Sequence, residues 1–116
     1  MSFKLETNEE LKEAVNIWCC DKEKALEQYG EINTWNTINI TSMKNLFIGK
    51  INFNDDISNW DTSNVNNMGY MFSECKEFNQ PLNKWNTSKV INMYRMFDGC
   101  NEFNQPLNNW DTSKII

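Results

Sequence analysis

Trp35, Trp60, Trp85 and Trp110 recur with a 25-residue period, and that spacing limits what the chain can fold into more than any other feature. Met43, Met68 and Met93 keep the same phase, as do Phe47, Phe72 and Phe97, and Phe53, Phe78 and Phe103. Ile32, Ile57, Leu82 and Leu107 form a further series, and Ile40, Val65, Val90 and Ile115 another. A unit this short cannot bury its own apolar positions, so a fixed period of this size predicts coils that bury them against their neighbours. These residues are therefore the expected core, and the tryptophans are expected to pack inside rather than line a binding strip.

Within one unit, "FNQPLNKW" predicts a short extended piece over Phe78 to Leu82, which Pro81 keeps from lengthening. Thr87 or Ser88 can turn the chain and cap the next segment. The spacing of Val90, Met93, Met96 and Phe97 predicts one or two inward-facing helical turns, closed at Gly99. The units vary. Glu74 stands where Gly49 and Gly99 do, so the glycine is helpful rather than obligatory there, and Lys50 takes the place of Cys75 and Cys100. Asn54, Asn79 and Asn104 each follow a phenylalanine, which suggests a buried ladder of amides satisfying backbone groups between coils.

Residues 1–31 read differently. Thr7 or Asn8 can cap a helix starting near Glu9, with Leu11, Ala14, Val15 and Trp18 on one apolar stripe. A second helix is expected over Lys22 to Tyr29, with Asp21 as its cap and Gly30 as its stop. The domain expectation is a helical cap over residues 1–31 and a repeat region over 32–116 with an incomplete final unit. The last coil has no following "MF" segment over it. Either Ile115 and Ile116 fold across it, or a homo-oligomer forms through the C-terminal repeat face.

Chemistry has little to stand on. The chain of 116 residues contains no histidine, which removes histidine triads and histidine metal sites. Asp55 and Asp56 are adjacent, and adjacency does not provide the opposed carboxylates that a hydrolase needs. Asp61, Asp98 and Asp111 lie in no calcium-loop pattern. No catalytic residue, metal site or cofactor is expected, and the chain is read as no enzyme. Its net charge of −5 gives no electrostatic ground for a nucleic-acid partner. No run of apolar residues is long enough to span a bilayer. Cys19 and Cys20 are adjacent, while Cys75 and Cys100 lie one period apart, a pattern that reads as reduced thiols.

The units "SNVNNMGYMFSECKEFNQPLNKWNTSKV" and "NTSKVINMYRMFDGCNEFNQPLNNWDTSK" closely resemble the BspA-like, DUF285-type leucine-rich repeats. Those repeats occur in bacterial surface proteins, notably of mycoplasmas, and in protist and large-DNA-virus proteins. The resemblance covers roughly residues 8 to 116, since "NEELKEAVNIW" and "YGEINTWNT" look like the segment that precedes such arrays. It implies an α/β solenoid of leucine-rich-repeat-like coils, each with a short strand and a short helical segment. By position it also places Met71 and Met96 inward.

The expected function is protein–protein interaction or assembly through a repeat surface, with an unidentified protein partner. A structural component of an oligomer or virus particle is the second reading, and a surface adhesin, were the protein exported, the third. The variable polar positions Asn59, Lys84 and Asn109, with Asn66, Asn67, Tyr70, Tyr94 and Arg95, are the candidate contact residues. With no signal peptide visible, a cytoplasmic or virion-associated location is expected ahead of an extracellular one.

Overall fold

The computed structural model describes residues 2–116. Two α-helices open the chain, α1 over Asn8–Cys20 and α2 over Lys22–Tyr29, followed by one 3-10 turn over Ile32–Thr34. Thr7 caps α1, its hydroxyl oxygen accepting from the Glu10 N–H at 3.0 Å. Glu9 and Glu10 place negative charge at the positive end of the helix dipole. Leu11, Ala14, Val15 and Trp18 are the buried stripe of α1. Asp21 breaks the run and caps α2 by accepting from the Lys24 N–H, and Gly30 ends that helix at a φ of 79°.

Beyond Thr34 the described residues contain neither helix nor strand, and this overturns the α/β solenoid reading. The chain forms a body of helix and turns with a radius of gyration of 13.2 Å, not leucine-rich-repeat coils of strand and helix. Extended pairing is reduced to isolated parallel bridges, Ser42 with Asn67 and Asn67 with Asn92 in the repeat region, and Lys4 with Asn36 near the start.

Both corrections have a physical reason. The segment expected as a strand, Phe78 to Leu82, reaches the preceding unit through side chains: the Asn79 N–H donates to Asn54 Oδ1, and Gln80 Nε2 donates to the Asn54 carbonyl. A strand needs a run of main-chain pairs, and none forms there.

The segment expected as a helix, Val90 to Phe97, has its carbonyls committed elsewhere. Met68, Tyr70, Phe72 and Glu74 donate their N–H groups to the carbonyls of Asn92, Tyr94, Met96 and Asp98, at 2.7–2.9 Å. Those oxygens point across to the neighbouring layer, and none of them closes a helical i to i+4 bond along its own chain. In addition, Asn45, Tyr70 and Arg95 each take a positive φ. That left-handed residue interrupts a right-handed helix in every unit.

What does repeat is a stack of turn layers. Phe47, Phe72 and Phe97 lie ring on ring at 5.4 and 5.6 Å, and Phe53, Phe78 and Phe103 at 5.7 and 5.9 Å. Trp85 and Trp110 are parallel at 6.5 Å. The buried indole N–H groups of Trp60 and Trp85 donate to carbonyls of the preceding unit, those of Ile32 and Ile57. Burial therefore leaves no orphan donor on either ring. Thr37, Thr62 and Thr87 do the same in the other direction, donating to the carbonyls of Asp61, Asn86 and Asp111. Trp35, Trp60 and Trp85 are buried, and Trp110 is partly covered. The asparagine ladder exists but lies at the surface, with Asn54 and Asn104 exposed and Asn79 half-buried.

Candidate functional site

The candidate contact residues are engaged in local contacts within and between layers. Lys84 Nζ donates to Asn59 Oδ1 at 2.6 Å, while the N–H groups of Asn59 and Asn109 are taken by the amide oxygens of Asn33 and Asn83. These polar groups hold one layer to the next. Asn66 donates its N–H to Thr41 and accepts from Ile91, and Asn67 Oδ1 accepts from the Gly69 N–H, so both are part of the turn framework.

Tyr70, Tyr94 and Arg95 make a separate group: the two rings meet edge-on at 5.6 Å, and Arg95 lies 5.4 Å from the Tyr94 ring. No strand-lined or helix-lined face joins the two groups among the described residues. The repeat-surface scaffold is therefore corrected, and with it the particle-component and adhesin roles read as its alternatives.

Asp55 and Asp56 have structural work. Asp55 Oδ2 accepts from the Trp18 indole at 2.8 Å and its Oδ1 faces Lys22 at 3.5 Å, tying the end of α1 to the repeat region. Lys22 also lies over the Trp18 ring at 4.8 Å. Asp56 Oδ1 accepts from the Ser58 N–H. A cleft of about 420 Å³ beside this clamp is lined by Trp18, Cys19, Lys50 and Phe53. Its one carboxylate is already engaged by Trp18 and Lys22, and burial pushes the neighbouring Cys19 thiol up to about 11.

The Cys75 and Cys100 thiols are hydrogen-bond donors. Cys75 Sγ donates to the Phe47 carbonyl at 2.9 Å and Cys100 Sγ to the Phe72 carbonyl at 2.8 Å. Burial pushes the Cys75 thiol up to about 12 and raises Cys100 as well, so both are protonated at neutral pH. Among the described residues no three His, Cys, Asp or Glu side chains gather as metal ligands.

The last layer differs from its predecessors in being only partly covered by the described residues. Met43 and Met68 are buried and Met93 is half-exposed; Phe47 and Phe72 are buried and Phe97 is half-exposed. Trp60 and Trp85 are each 3% exposed, whereas Trp110 is only partly covered. Phe103, Leu107 and Ile115 share that state, and Ile116 projects fully into solvent rather than folding over the layer.

The hydrogen bonds stop at the same place. Met68, Tyr70, Phe72 and Glu74 each donate to the next layer, but among the described residues the equivalent N–H groups of Met93, Arg95, Phe97 and Gly99 meet no acceptor. This row of main-chain donors carries no residue signature and is invisible in the sequence. The threonine series is visible there as Thr37, Thr62, Thr87 and Thr112, but only its place at the corners is expected, not its bonds between layers.

No helix of the described residues is long and apolar enough to cross a membrane. No curated protein and no solved structure matches the chain. A family model described as "Mycoplasma protein of unknown function, DUF285" matches residues 7–116, nearly the whole chain, and covers both helices and every turn layer. The chain therefore belongs to the DUF285 family.

Proposed function

We propose that this chain is a non-catalytic binding module that associates with a second copy of itself through its last layer, residues 92–116. The observation that carries the reading is the graded burial of one repeated set of side chains, complete at Phe47 and Phe72 and incomplete at Phe97. An apolar layer shaped for stacking loses its hydrophobic stabilisation when one side faces water.

Electrostatics favour the same face. The chain carries −5 overall, yet residues 92–116 hold two cations, Arg95 and Lys114, against three carboxylates, Asp98, Glu102 and Asp111. Residues 92–116 are thus net −1 where residues 1–41 are net −4, so of the two ends of the stack the last layer repels a second acidic copy less. The protonated, hydrogen-bonded thiols fit a reducing setting such as the cytoplasm. The absence of histidine and the raised thiols support the non-catalytic part of the reading.

Sedimentation velocity across a wide concentration range tests it. A concentration-dependent dimer that Phe97→Glu returns to monomer supports the reading. A chain that stays monomeric at high concentration, or a dimer indifferent to Phe97→Glu, removes it; a different protein bound at this face with no self-association would replace the second copy as partner.

A further inference from the structure

The two ends of the stack are complementary in their main-chain groups, and α1 lies between them and open-ended growth. In each interior layer, four carbonyls accept from the layer before: Asn67, Gly69, Met71 and Ser73 accept from Met43, Asn45, Phe47 and Gly49 at 2.9–3.0 Å. One period earlier, the corresponding carbonyls belong to Ser42, Lys44, Leu46 and Ile48, and among the described residues none of them accepts a hydrogen bond. At the other end, the N–H groups of Met93, Arg95, Phe97 and Gly99 have no acceptor among the described residues. Four free acceptors at one end thus match four free donors at the other, in the register the interior layers already use.

Helix α1 occupies the acceptor end. Asn8 Oδ1 accepts from the N–H groups of Thr41 and Ser42 at 3.0 and 3.3 Å, and Lys12 Nζ donates to the Asn45 carbonyl at 3.0 Å. A narrow cleft of about 240 Å³ between Asn8, Glu9 and Lys12 on one side and Ser42, Lys44 and Leu46 on the other marks where helix and row face each other. Partial burial and the charge of Lys50 lower the Lys12 ammonium's pKa from its ordinary value. A lysine and a covering helix are both ways in which proteins blunt an unpaired edge.

We infer that the first layer of one copy, Ser42 to Ile48, is a latent docking surface for the last layer of another, Met93 to Gly99, and that α1 blocks it. With α1 in place, self-association is confined to the last layers and stops at a pair. With α1 displaced, donor row meets acceptor row head to tail, a heterologous contact that does not close. The inference rests on the last layer being a contact face, and its test is separable from that of the pairing itself.

The experiment uses the full chain with α1 loosened in two ways. Leu11→Asn weakens its buried stripe, and the pair Asn8→Ala with Lys12→Ala removes its polar hold on Thr41, Ser42 and Asn45 while sparing its buried residues. Size is read by sedimentation velocity and electron microscopy, and integrity of the layers by near-ultraviolet circular dichroism of the stacked tryptophans. The expected result is assemblies longer than a dimer that grow with concentration in the loosened chains and are absent from the wild type. A loosened chain that keeps its aromatic signal yet grows no larger than the wild type overturns the inference, whether or not the wild type pairs. Should Leu11→Asn lose that signal, the Asn8→Ala and Lys12→Ala chain decides by the same criterion.

Discussion

Glu74 holds its carboxylate against Gly99, close enough that a β-carbon on the glycine would lie 2.6 Å from Glu74 Oε1. The two residues occupy the same phase of successive units, and both have a left-handed backbone, φ 63° for Glu74 and 77° for Gly99. Glutamate is strained in that conformation and glycine is not. Glu74→Gly should therefore stabilise the protein by about 0.5–1 kcal/mol, the relief of strain offset in part by the greater freedom of an unfolded glycine. Gly99→Ala should destabilise it by about 1–2 kcal/mol. Urea unfolding of both variants gives the two signs, and a destabilised Glu74→Gly would show that the side chain contributes more than its backbone costs.

Equivalent tryptophans should differ in proportion to what covers them. Trp85 is 3% exposed with its indole N–H on the Ile57 carbonyl. Trp85→Ala should cost about 3–5 kcal/mol. Trp110 makes the same bond to Leu82 but is only partly covered. Less apolar area leaves water there, so Trp110→Ala should cost roughly half as much. Thermal unfolding at low protein concentration, where pairing does not contribute, separates the two.

The threonine series offers a test of polar satisfaction. Thr62 is buried, and its hydroxyl donates to the Asn86 carbonyl at 2.9 Å. Thr62→Val keeps the shape and leaves that oxygen without a partner, which should cost about 1–3 kcal/mol. Thr112 is exposed, so Thr112→Val should unfold at the wild-type denaturant midpoint.

Alkaline pH should weaken the fold through Cys75. Its thiol rises from an ordinary 9.0 to about 12 in the folded chain, chiefly because burial disfavours the thiolate. A raised folded-state value means that the thiol's contribution is complete below pH 9 and is lost as pH climbs from 9 toward 12. The melting temperature of the wild type should fall more steeply over that range than that of Cys75→Ala, whose remaining alkaline response includes the other groups raised by burial, Cys19, Cys100 and Tyr29. Equal slopes would assign the thiol no part in it.

The 25-residue period, the identity of the stacked residues and both helices with their caps were legible in the sequence, because hydrophobic phase and capping chemistry are properties of side chains. Val90, Met93, Met96 and Phe97 nevertheless misled. Their spacing is that of a helix, but inward placement recurs equally well along tight turns, and spacing alone does not say which backbone supplies it. Asp55 gave no periodic signal at all: it stands in phase with Gln80 and Gln105, and only the position of Trp18 turns it into a clamp.

The sequence by itself determined which residues stack, since a repeated apolar phrase has one way to hide from water. Only the tertiary structure decided how the backbone is paired. The carbonyls of Asn92, Tyr94, Met96 and Asp98 serve the layer before them instead of their own chain, which replaces strand and helix with turns. It also decided that four donors are left over at one end and four acceptors lie beside α1 at the other. Every non-proline residue brings the same N–H and C=O to the chain, so where those groups remain unmatched is a property of the assembled layers rather than of any residue's identity.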